Sequence, residues 1–260
     1  MTSQRMNRSK LRPDAPSDTQ ASSLRAGTHP HTPRHEIGAE PPSDCARCPR
    51  LAAFRASNRE AFPDWFNAPV PSFGGRDSRL LVVGLAPGLK GANRTGRPFT
   101  GDFAGDLLYE TLIDFGFARG SYAADPEDGL ELVDCMITNA VRCVPPQNKP
   151  TPAEANTCVE FLARRIEAQT RLEIILALGR IAHDAVLKAL DARRAAYPFA
   201  HGAVHTPAPG LVLIDSFHCS RYNTNTGRLT RSMFRDVFAA IAKSLSEHRK
   251  ALSAPSSRRD

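Results

Sequence analysis

Four short apolar runs, each followed by glycine, proline or polar residues, recur along the chain. Runs of this length and composition predict buried β-strands, and the Ala-Pro-Gly sequence after the first run predicts a tight turn. The predicted strands cover residues 79–85, 133–141, 173–178 and 211–216.

Between these runs the apolar positions change to helical spacing. Helices are predicted over residues 105–115, 151–170, 181–190 and 230–245. In the second helix, Thr151 fits the N-cap, Pro152 the first helical position and Glu154 the partner of a capping box. The alternation of strand and helix predicts an α/β fold: a single domain with a mainly parallel four-stranded sheet flanked by helices on both faces.

Unusual polar segments follow three of the predicted strands. They are residues 86–88, 138–139 and 217–221. In an open α/β sheet, ligands bind at the carboxyl ends of the strands, so segments far apart in sequence are expected to meet in one crevice.

Composition divides the 260-residue chain into three parts. Residues 1–43 are rich in serine, proline and charge and are predicted to form a disordered basic arm, and residues 251–260 a disordered tail. Residues 44–250 are predicted to form the domain, which is large enough to fold around an apolar core. We find no secretory signal and no apolar run long enough to cross a bilayer, which favours a cytoplasmic protein, predicted here to be a monomer.

The net charge is +7 and the isoelectric point is about 9.3. A basic protein of this size favours an anionic partner, with nucleic acid the commonest candidate. The alternative is that part of the charge only solubilises the predicted tails.

Cysteines form the strongest chemical pattern. Cys45 and Cys48 make a pair with two residues between them, Cys143 ends an apolar run, and Cys158 lies in the predicted second helix. In a reducing compartment such a set is better interpreted as metal ligands than as disulfides. Thiolates suit both a structural zinc ion and an iron–sulfur cluster, so the pattern leaves the metal open. Cys135 and Cys219 are interpreted as buried thiols.

The glycines of residues 84–91 fit neither the G-x-x-x-x-G-K-[ST] nor the G-x-G-x-x-G spacing. Binding of ATP or of a dinucleotide is therefore rejected. Glycine here is still suited to a close approach of the backbone to a base or phosphate.

Three motifs together resemble the iron–sulfur uracil-DNA glycosylases. Residues 84–88 and 93–102 are similar to the family's first motif, residues 137–146 to its middle motif, and residues 218–228 to its final motif. The match covers roughly residues 45–245 in the expected order. Ala86, where related branches carry a carboxylate, and the sequence NTNTGR after the final motif favour the type 5 branch.

The resemblance implies a ligand set and a base pocket. It implies that Cys45, Cys48, Cys143 and Cys158 hold a [4Fe-4S] cluster. In the pocket, Asn139 would pair with O4 and N3–H of uracil and Phe99 would stack on the extruded base, with Ala86 at the pocket wall. His218 would stabilise the charge that grows at O2 of the leaving base. Without the resemblance, a strand-end cap, a core phenylalanine and a structural histidine are the ordinary roles of these three side chains.

The residue that activates water is left open. Asn93 and Asp102 are the polar candidates near Ala86. Asn93 could position water but is not a useful general base, whereas Asp102 could be one if it faces the pocket. Its alternative role is a carboxylate at a helix N-terminus. For DNA binding we expect Arg221 and Tyr222 to contact phosphate or fill the gap left by the flipped base. Further phosphate candidates are Arg228 and Arg231, for which the alternative is a solvated helix start.

The sequence therefore predicts a DNA repair glycosylase. It would hydrolyse the N-glycosidic bond of uracil in double-stranded DNA, leave an abasic site, and accept other deaminated bases such as hypoxanthine. The competing hypothesis is a noncatalytic metal-containing DNA-binding protein, which would not need Asn139 and His218 in one pocket. An electron carrier is disfavoured, since nothing suggests a second redox centre.

Overall fold

A computed structural model describes residues 38–253, with side chains to residue 247. The helices are α1 Pro49–Ala61, α2 Ala92–Thr95, α3 Phe103–Asp114, α4 Pro152–Glu167, α5 Arg180–Ala189, α6 Arg221–Asn225 and α7 Arg231–Ser253. The strands are β1 Phe73–Gly74, β2 Leu80–Gly84, β3 Ala118–Arg119, β4 Glu131–Leu132, β5 Cys135–Asn139, β6 Ile174–Leu178, β7 Val204–Ala208 and β8 Leu211–Ser216.

Six strands form one mixed sheet in the order β1-β5-β2-β6-β8-β7. The four central strands are the four predicted ones, and they run parallel. The predicted count of four is wrong, because β1 and β7 border this centre as antiparallel strands. Neither has the signature of a buried strand: β1 has two residues, and β7 is partly exposed along its length. Strands β3 and β4 pair separately.

Helices cover both faces of the sheet, as predicted. Because side chains alternate along a strand, Leu80 and Val82 point to one face and Leu81 and Val83 to the other. The first pair packs in a core with residues of α3 and α7. The second pair packs with residues of α4 and α5.

The predicted N-terminus of α4 is confirmed in detail. The Thr151 side chain accepts the backbone N–H of Glu154 at 3.2 Å, and the Glu154 carboxylate accepts the N–H of Thr151 at 2.7 Å. This reciprocal capping box fixes where the helix starts. It therefore also fixes the position of Cys158 along the helix.

No helix or strand was predicted for the chain before β1. Helix α1 follows Cys48 directly, beginning at Pro49, a residue suited to the first turn of a helix. The predicted arm and tail lie outside the described residues, apart from residues 38–43 and the end of α7. Within residues 38–43, Glu40 forms ion pairs with the buried Arg142 and Arg165.

None of the helices within residues 38–253 combines the length and the apolar character that a bilayer span needs.

Candidate active site and cysteine centre

A pocket of about 650 Å³ lies at the carboxyl ends of the four parallel strands. Each strand contributes the residues that follow it, as the rule for open α/β sheets predicts. The lining residues are Leu85, Ala86, Pro87, Gly88, Phe99, Asp102, Phe103, Ala104, Asn139, Asn148, Leu178, Gly179, Arg180, Ile181, His218, Ser220 and Arg221.

Asn139 ends β5 beside the end of β2, where it pairs in register with Gly84. The missing side chain of Gly84 makes room for the pocket: a Cβ there would lie 2.4 Å from Asn139 Oδ1 and 2.6 Å from the Phe99 ring. Asn139 is 3% exposed, and its amide forms no hydrogen bond with the part of the chain that the structure describes. A buried amide of this kind is available for a ligand.

Phe99 lies in the pocket wall with an unusual backbone. Its φ is +58°, a left-handed conformation that is strained for a phenylalanine. Two tyrosine hydroxyls hold it there: Tyr109 donates to Pro98 O at 2.6 Å, and Tyr122 donates to Phe99 O at 3.2 Å. The Phe99 ring lies 6.0 Å from that of His218, at an interplanar angle of 25°.

The same loop is anchored by a buried ion pair. Arg97 donates two hydrogen bonds of 2.8 Å to the Asp128 carboxylate and one of 2.6 Å to Thr100 Oγ1. Its guanidinium also lies 5.3–5.8 Å from the ring centroids of Phe73, Tyr109 and Tyr122. The Arg97 guanidinium holds the pKa of Asp128 well below its usual range. Sequence reasoning missed this anchor.

His218 follows β8, is partly buried and lines the pocket. Burial lowers its pKa to about 4, so the imidazole is neutral near pH 7. Its Nδ1 is buried with no partner among the described residues. A proton at Nδ1 would be unsatisfied, and this favours the tautomer that carries the proton at Nε2.

The structure separates the two candidates for water activation. Asp102 lines the pocket, and although it occupies the N-cap position of α3 it makes no side-chain capping bond. Its carboxylate instead fills the space left by two glycines, since a Cβ on Gly88 or Gly91 would lie 2.0–2.4 Å from a carboxylate oxygen. Burial raises its pKa, and hydrogen bonds from the N–H groups of Ala92 and Gly88 partly offset this.

Asn93 is not brought into this group. It is fully buried outside the pocket lining, and its Nδ2 donates to Asn67 Oδ1 at 2.9 Å. Asn93 therefore joins its own segment to that of Asn67. Of the two candidates for water activation, Asp102 is the one that lines the pocket.

The predicted DNA-contacting residues differ in their contacts and exposure. Arg221 lines the pocket, with its guanidinium 5.1 Å from the Phe103 ring centroid. Tyr222 in α6 is 71% exposed, more than any other large apolar side chain that the structure describes. Arg228 lies over the Phe217 ring at 4.6 Å, and Arg231 pairs with Glu110.

Two parts of the pocket were missed by sequence reasoning. Leu178 ends β6 and Gly179 follows it, and both line the pocket although they carry no reactive group. The strand-end rule would have found them. Asn148 also lines the pocket; it and the preceding Gln147 are both in a left-handed conformation, with φ +56°. No sequence pattern marks that turn.

The four predicted ligands meet at a second, smaller cavity. Cys45, Cys48, Cys143 and Cys158 all line it. No three of their sulfur atoms lie within 4.8 Å of one another. In a tetrahedral zinc site with Zn–S bonds of about 2.3 Å, the sulfurs would be roughly 3.8 Å apart. The spacing is therefore wider than one zinc ion requires, and it suits a polynuclear iron–sulfur group.

The surroundings of these sulfurs also fit such a group. Arg55 donates to Cys143 Sγ at 3.2 Å, and the backbone N–H of Arg142 donates to Cys158 Sγ at 3.4 Å. Hydrogen bonds to sulfur are a usual feature of iron–sulfur sites. Burial raises the pKa of the Cys143 thiol to about 11 and that of Cys158 to about 12, so deprotonation requires a bound cation.

A different cluster was missed by the sequence analysis. The Asp215 carboxylate lies 2.8 Å from His183 Nδ1 and 3.1 Å from His205 Nε2. His183 Nε2 faces the Tyr197 carbonyl at 2.9 Å. The Asp215 carboxylate and the Tyr197 carbonyl both accept hydrogen bonds, so each ring nitrogen of His183 carries a proton. His183 is therefore an imidazolium in a hydrogen-bonded ion pair, and Asp215 raises its pKa against the effect of burial. The 2.8 Å contact leaves no space for a metal ion between the two groups.

The cysteine cavity and the pocket are neighbours. Ala86 lines the pocket and also packs against the apolar cluster around Cys143 and Cys158. The backbone of β2 extends to this point, where Leu85 O accepts the N–H of Val141 at 2.9 Å.

Comparison with known proteins agrees with this geometry. The family model of the uracil DNA glycosylase superfamily matches residues 71–242. A type-5 uracil-DNA glycosylase of Thermus thermophilus is 46% identical over 200 residues, which cover 74% of this chain and 90% of the relative. One of Pyrobaculum aerophilum is 40% identical over 218 residues, covering 82% and 95%. A type-4 enzyme of Archaeoglobus fulgidus is 36% identical over 123 residues, covering 47% and 54%.

Proposed function

This chain belongs to the uracil DNA glycosylase superfamily, in its type 5 branch, and we propose that it hydrolyses the N-glycosidic bond of uracil in double-stranded DNA, leaving an abasic site. The single observation that carries the proposal is the meeting of Asn139, Phe99 and His218 in one pocket. The three come from different strand ends and loops, and a DNA-binding protein without activity would have no need of their convergence.

The proposed reaction starts from a base flipped out of the duplex. The flipped uracil stacks on Phe99, and the free amide of Asn139 pairs with its O4 and N3–H. A neutral His218 donates from Nε2 to O2, where negative charge develops as the glycosidic bond breaks. A preorganised donor of this kind contributes about 2.7–4 kcal/mol to the transition state.

Asp102 is the proposed group that orients and activates water. It is the carboxylate in the pocket lining, and its raised pKa brings it closer to that of a useful base. Asn93 is assigned a supporting role instead, because its amide is already bonded to Asn67.

Other deaminated bases, hypoxanthine among them, are proposed as further substrates. The support is the small side chain of Ala86 in a pocket of about 650 Å³, which leaves room for a purine. Uracil and hypoxanthine also share a carbonyl beside an N–H, the pattern that an asparagine amide pairs with.

A [4Fe-4S] cluster held by Cys45, Cys48, Cys143 and Cys158 is proposed as a structural group. When bound, it supplies crosslinks between α1, the end of β5 and α4 rather than a step of the reaction. The spacing of the four sulfur atoms, and the N–H groups that donate to two of them, support this assignment.

For the DNA contacts we propose Arg221 and Tyr222 at the damaged site and Arg228 on a phosphate. The exposed ring of Tyr222 suits insertion into the gap that base flipping leaves. A cytoplasmic location and a monomeric state stay predictions from the sequence.

The test is single-turnover cleavage of duplexes that contain one uracil, one hypoxanthine or only normal bases. Asn139→Ala and His218→Ala are run beside the natural chain, and DNA binding is measured for each. Loss of uracil release by about 100-fold or more in both variants, with binding retained, is the expected result. If iron-replete protein bound DNA but released no base, the noncatalytic DNA-binding protein would be the better description.

A further inference from the structure

The backbone that carries His218 is tied to a histidine outside the pocket. The N–H of Phe217 donates to Nδ1 of His201 at 3.1 Å, and Ser216 Oγ lies 3.5 Å from the same nitrogen. The rings of His201 and Phe217 also stack, with centroids 5.0 Å apart and an interplanar angle of 18°. His201 lies in the turn before β7 and does not line the pocket.

We propose that His201 is a positioning residue for His218: its neutral imidazole accepts the Phe217 N–H and so fixes the place of the next residue in the chain. The proposal rests on the function assigned above to His218. It adds a residue from another part of the chain to the contacts that orient the His218 donor toward the base.

The contacts on either side of His218 show why this bond is decisive. The carbonyl of His218 accepts from Asn223 Nδ2 at 2.8 Å, and the carbonyl of Ser216 accepts the N–H of Gly179 at 2.8 Å. Those bonds fix the segment through its carbonyls. On the N–H side, the bond from Phe217 to His201 fixes the residue next to His218.

Only one protonation state of His201 makes this bond. The Phe217 N–H needs a lone pair at Nδ1, and an imidazolium carries hydrogen there instead. Burial lowers the pKa of His201 below its ordinary value of 6.5, even though the Met233 carbonyl and Asp236 on α7 act in the opposite direction.

The other charged groups near this site are Arg228 and Asp215. Arg228 lies over the Phe217 ring, and Asp215 in β8 is engaged with two other histidines. His201 is thus neutral at pH 7, and protonation below pH 6.5 would release the segment that carries His218.

Two variants separate positioning from simple packing. His201→Asn keeps an acceptor that does not titrate, whereas His201→Leu keeps the approximate size of the ring and removes the acceptor. Single-turnover release of uracil from a duplex, and hydrogen exchange at the Phe217 amide, would be followed from pH 5 to pH 8. His205→Asn is the control, because His205 bonds to Asp215 and not to Phe217.

In the natural chain, both the rate and the protection of the Phe217 amide should fall as the pH decreases below 6.5. His201→Leu should lower the rate at every pH, on the order of 100-fold, with DNA affinity unchanged. His201→Asn should keep the rate at pH 8 within a few-fold and lose most of the acid dependence. Any decline that stays in this variant belongs to the pocket carboxylate Asp102.

A natural rate for His201→Leu, or protection of the Phe217 amide that does not change with pH, would overturn the proposal. If the natural chain released no uracil at all, the proposed function would fall instead. The exchange of the Phe217 amide would then still decide whether His201 makes the bond, since that measurement needs no substrate.

Discussion

The base pocket and the cysteine centre lie side by side, yet they are held in different ways. In the pocket, contacts within the protein fix the surrounding backbone: two tyrosine hydroxyls hold the Phe99 loop, and the missing side chain of Gly84 makes room for Asn139. At the cysteine centre, two buried and two partly buried thiols surround a cavity, and the buried Nε atoms of Arg55 and Arg142 have no partner among the described residues.

The difference indicates two kinds of stability. The backbone around the pocket is held without a ligand, because it belongs to the sheet and to loops tied by hydrogen bonds, while the Asn139 amide and His218 Nδ1 have no partner among the described residues. At the cysteine centre, the proposed [4Fe-4S] cluster would join three separate parts of the chain. We therefore expect the loss of one ligand to disrupt the whole cysteine centre, whereas a substitution in the pocket should affect one side chain at a time.

The largest effect should come from Cys143→Ser. A serine oxygen is a poor substitute for a thiolate on iron, and the change also removes the sulfur that accepts from Arg55. We expect loss of bound iron and of visible absorption, with stability lowered by more than about 4 kcal/mol. Iron analysis and chemical unfolding would check this.

Cys135→Ala provides the control, because Cys135 is buried in β5 at a distance from the other cysteines. It should keep its iron. If Cys143→Ser also kept a full complement of iron and its stability, the cysteine centre would not depend on a bound group, and the contrast with the pocket would disappear.

The central sheet was predictable because each of its four strands is buried along almost its whole length, and an apolar run is the direct signature of such a strand. The bordering strands were not, since β1 is too short and β7 has no apolar run. Helix α1 was missed for a similar reason: few of its residues are buried, so it lacks a clear apolar stripe.

The pocket was predictable where its side chains follow strands, as Asn139 and His218 do. The geometry also separated Asp102 from Asn93, which the sequence had left as alternatives. A pattern cannot show which of two polar side chains in one loop turns inward, and here the neighbouring Asn67 decides it by bonding to Asn93. Asp128 could not be found, since its partner Arg97 lies far from it in sequence.

The next largest effect should come from Asp128→Ala, which leaves the Arg97 guanidinium buried and unpaired. Both side chains of this ion pair are almost fully buried, at 5% and 2% exposure. Removing one partner of such a pair typically costs about 3–5 kcal/mol. Urea unfolding would measure the loss, and uracil release should fall with it because the Phe99 loop is freed.

Glu131→Ala is the matched control. It breaks the ion pair with Arg119, whose side chains are 74% and 61% exposed, and should cost less than about 1 kcal/mol. Equal losses in the two variants would show that Arg97 finds another partner and that the loop is not anchored as described.

The smallest effect on stability, and the sharpest on activity, is expected for Gly84→Ala. The added Cβ would lie 2.4 Å from Asn139 Oδ1 and 2.6 Å from the Phe99 ring, so one or both must move. A displacement of about 1 Å in a catalytic arrangement lowers the rate on the order of 100-fold, equivalent to about 2.7 kcal/mol. Single-turnover uracil release would measure this, with Gly75→Ala as the control, since a Cβ there approaches only the Ser78 hydroxyl, at 3.3 Å. Iron content should stay complete in Gly84→Ala. Loss of iron together with activity would instead mean that the pocket and the cysteine centre form one structural unit joined through Ala86.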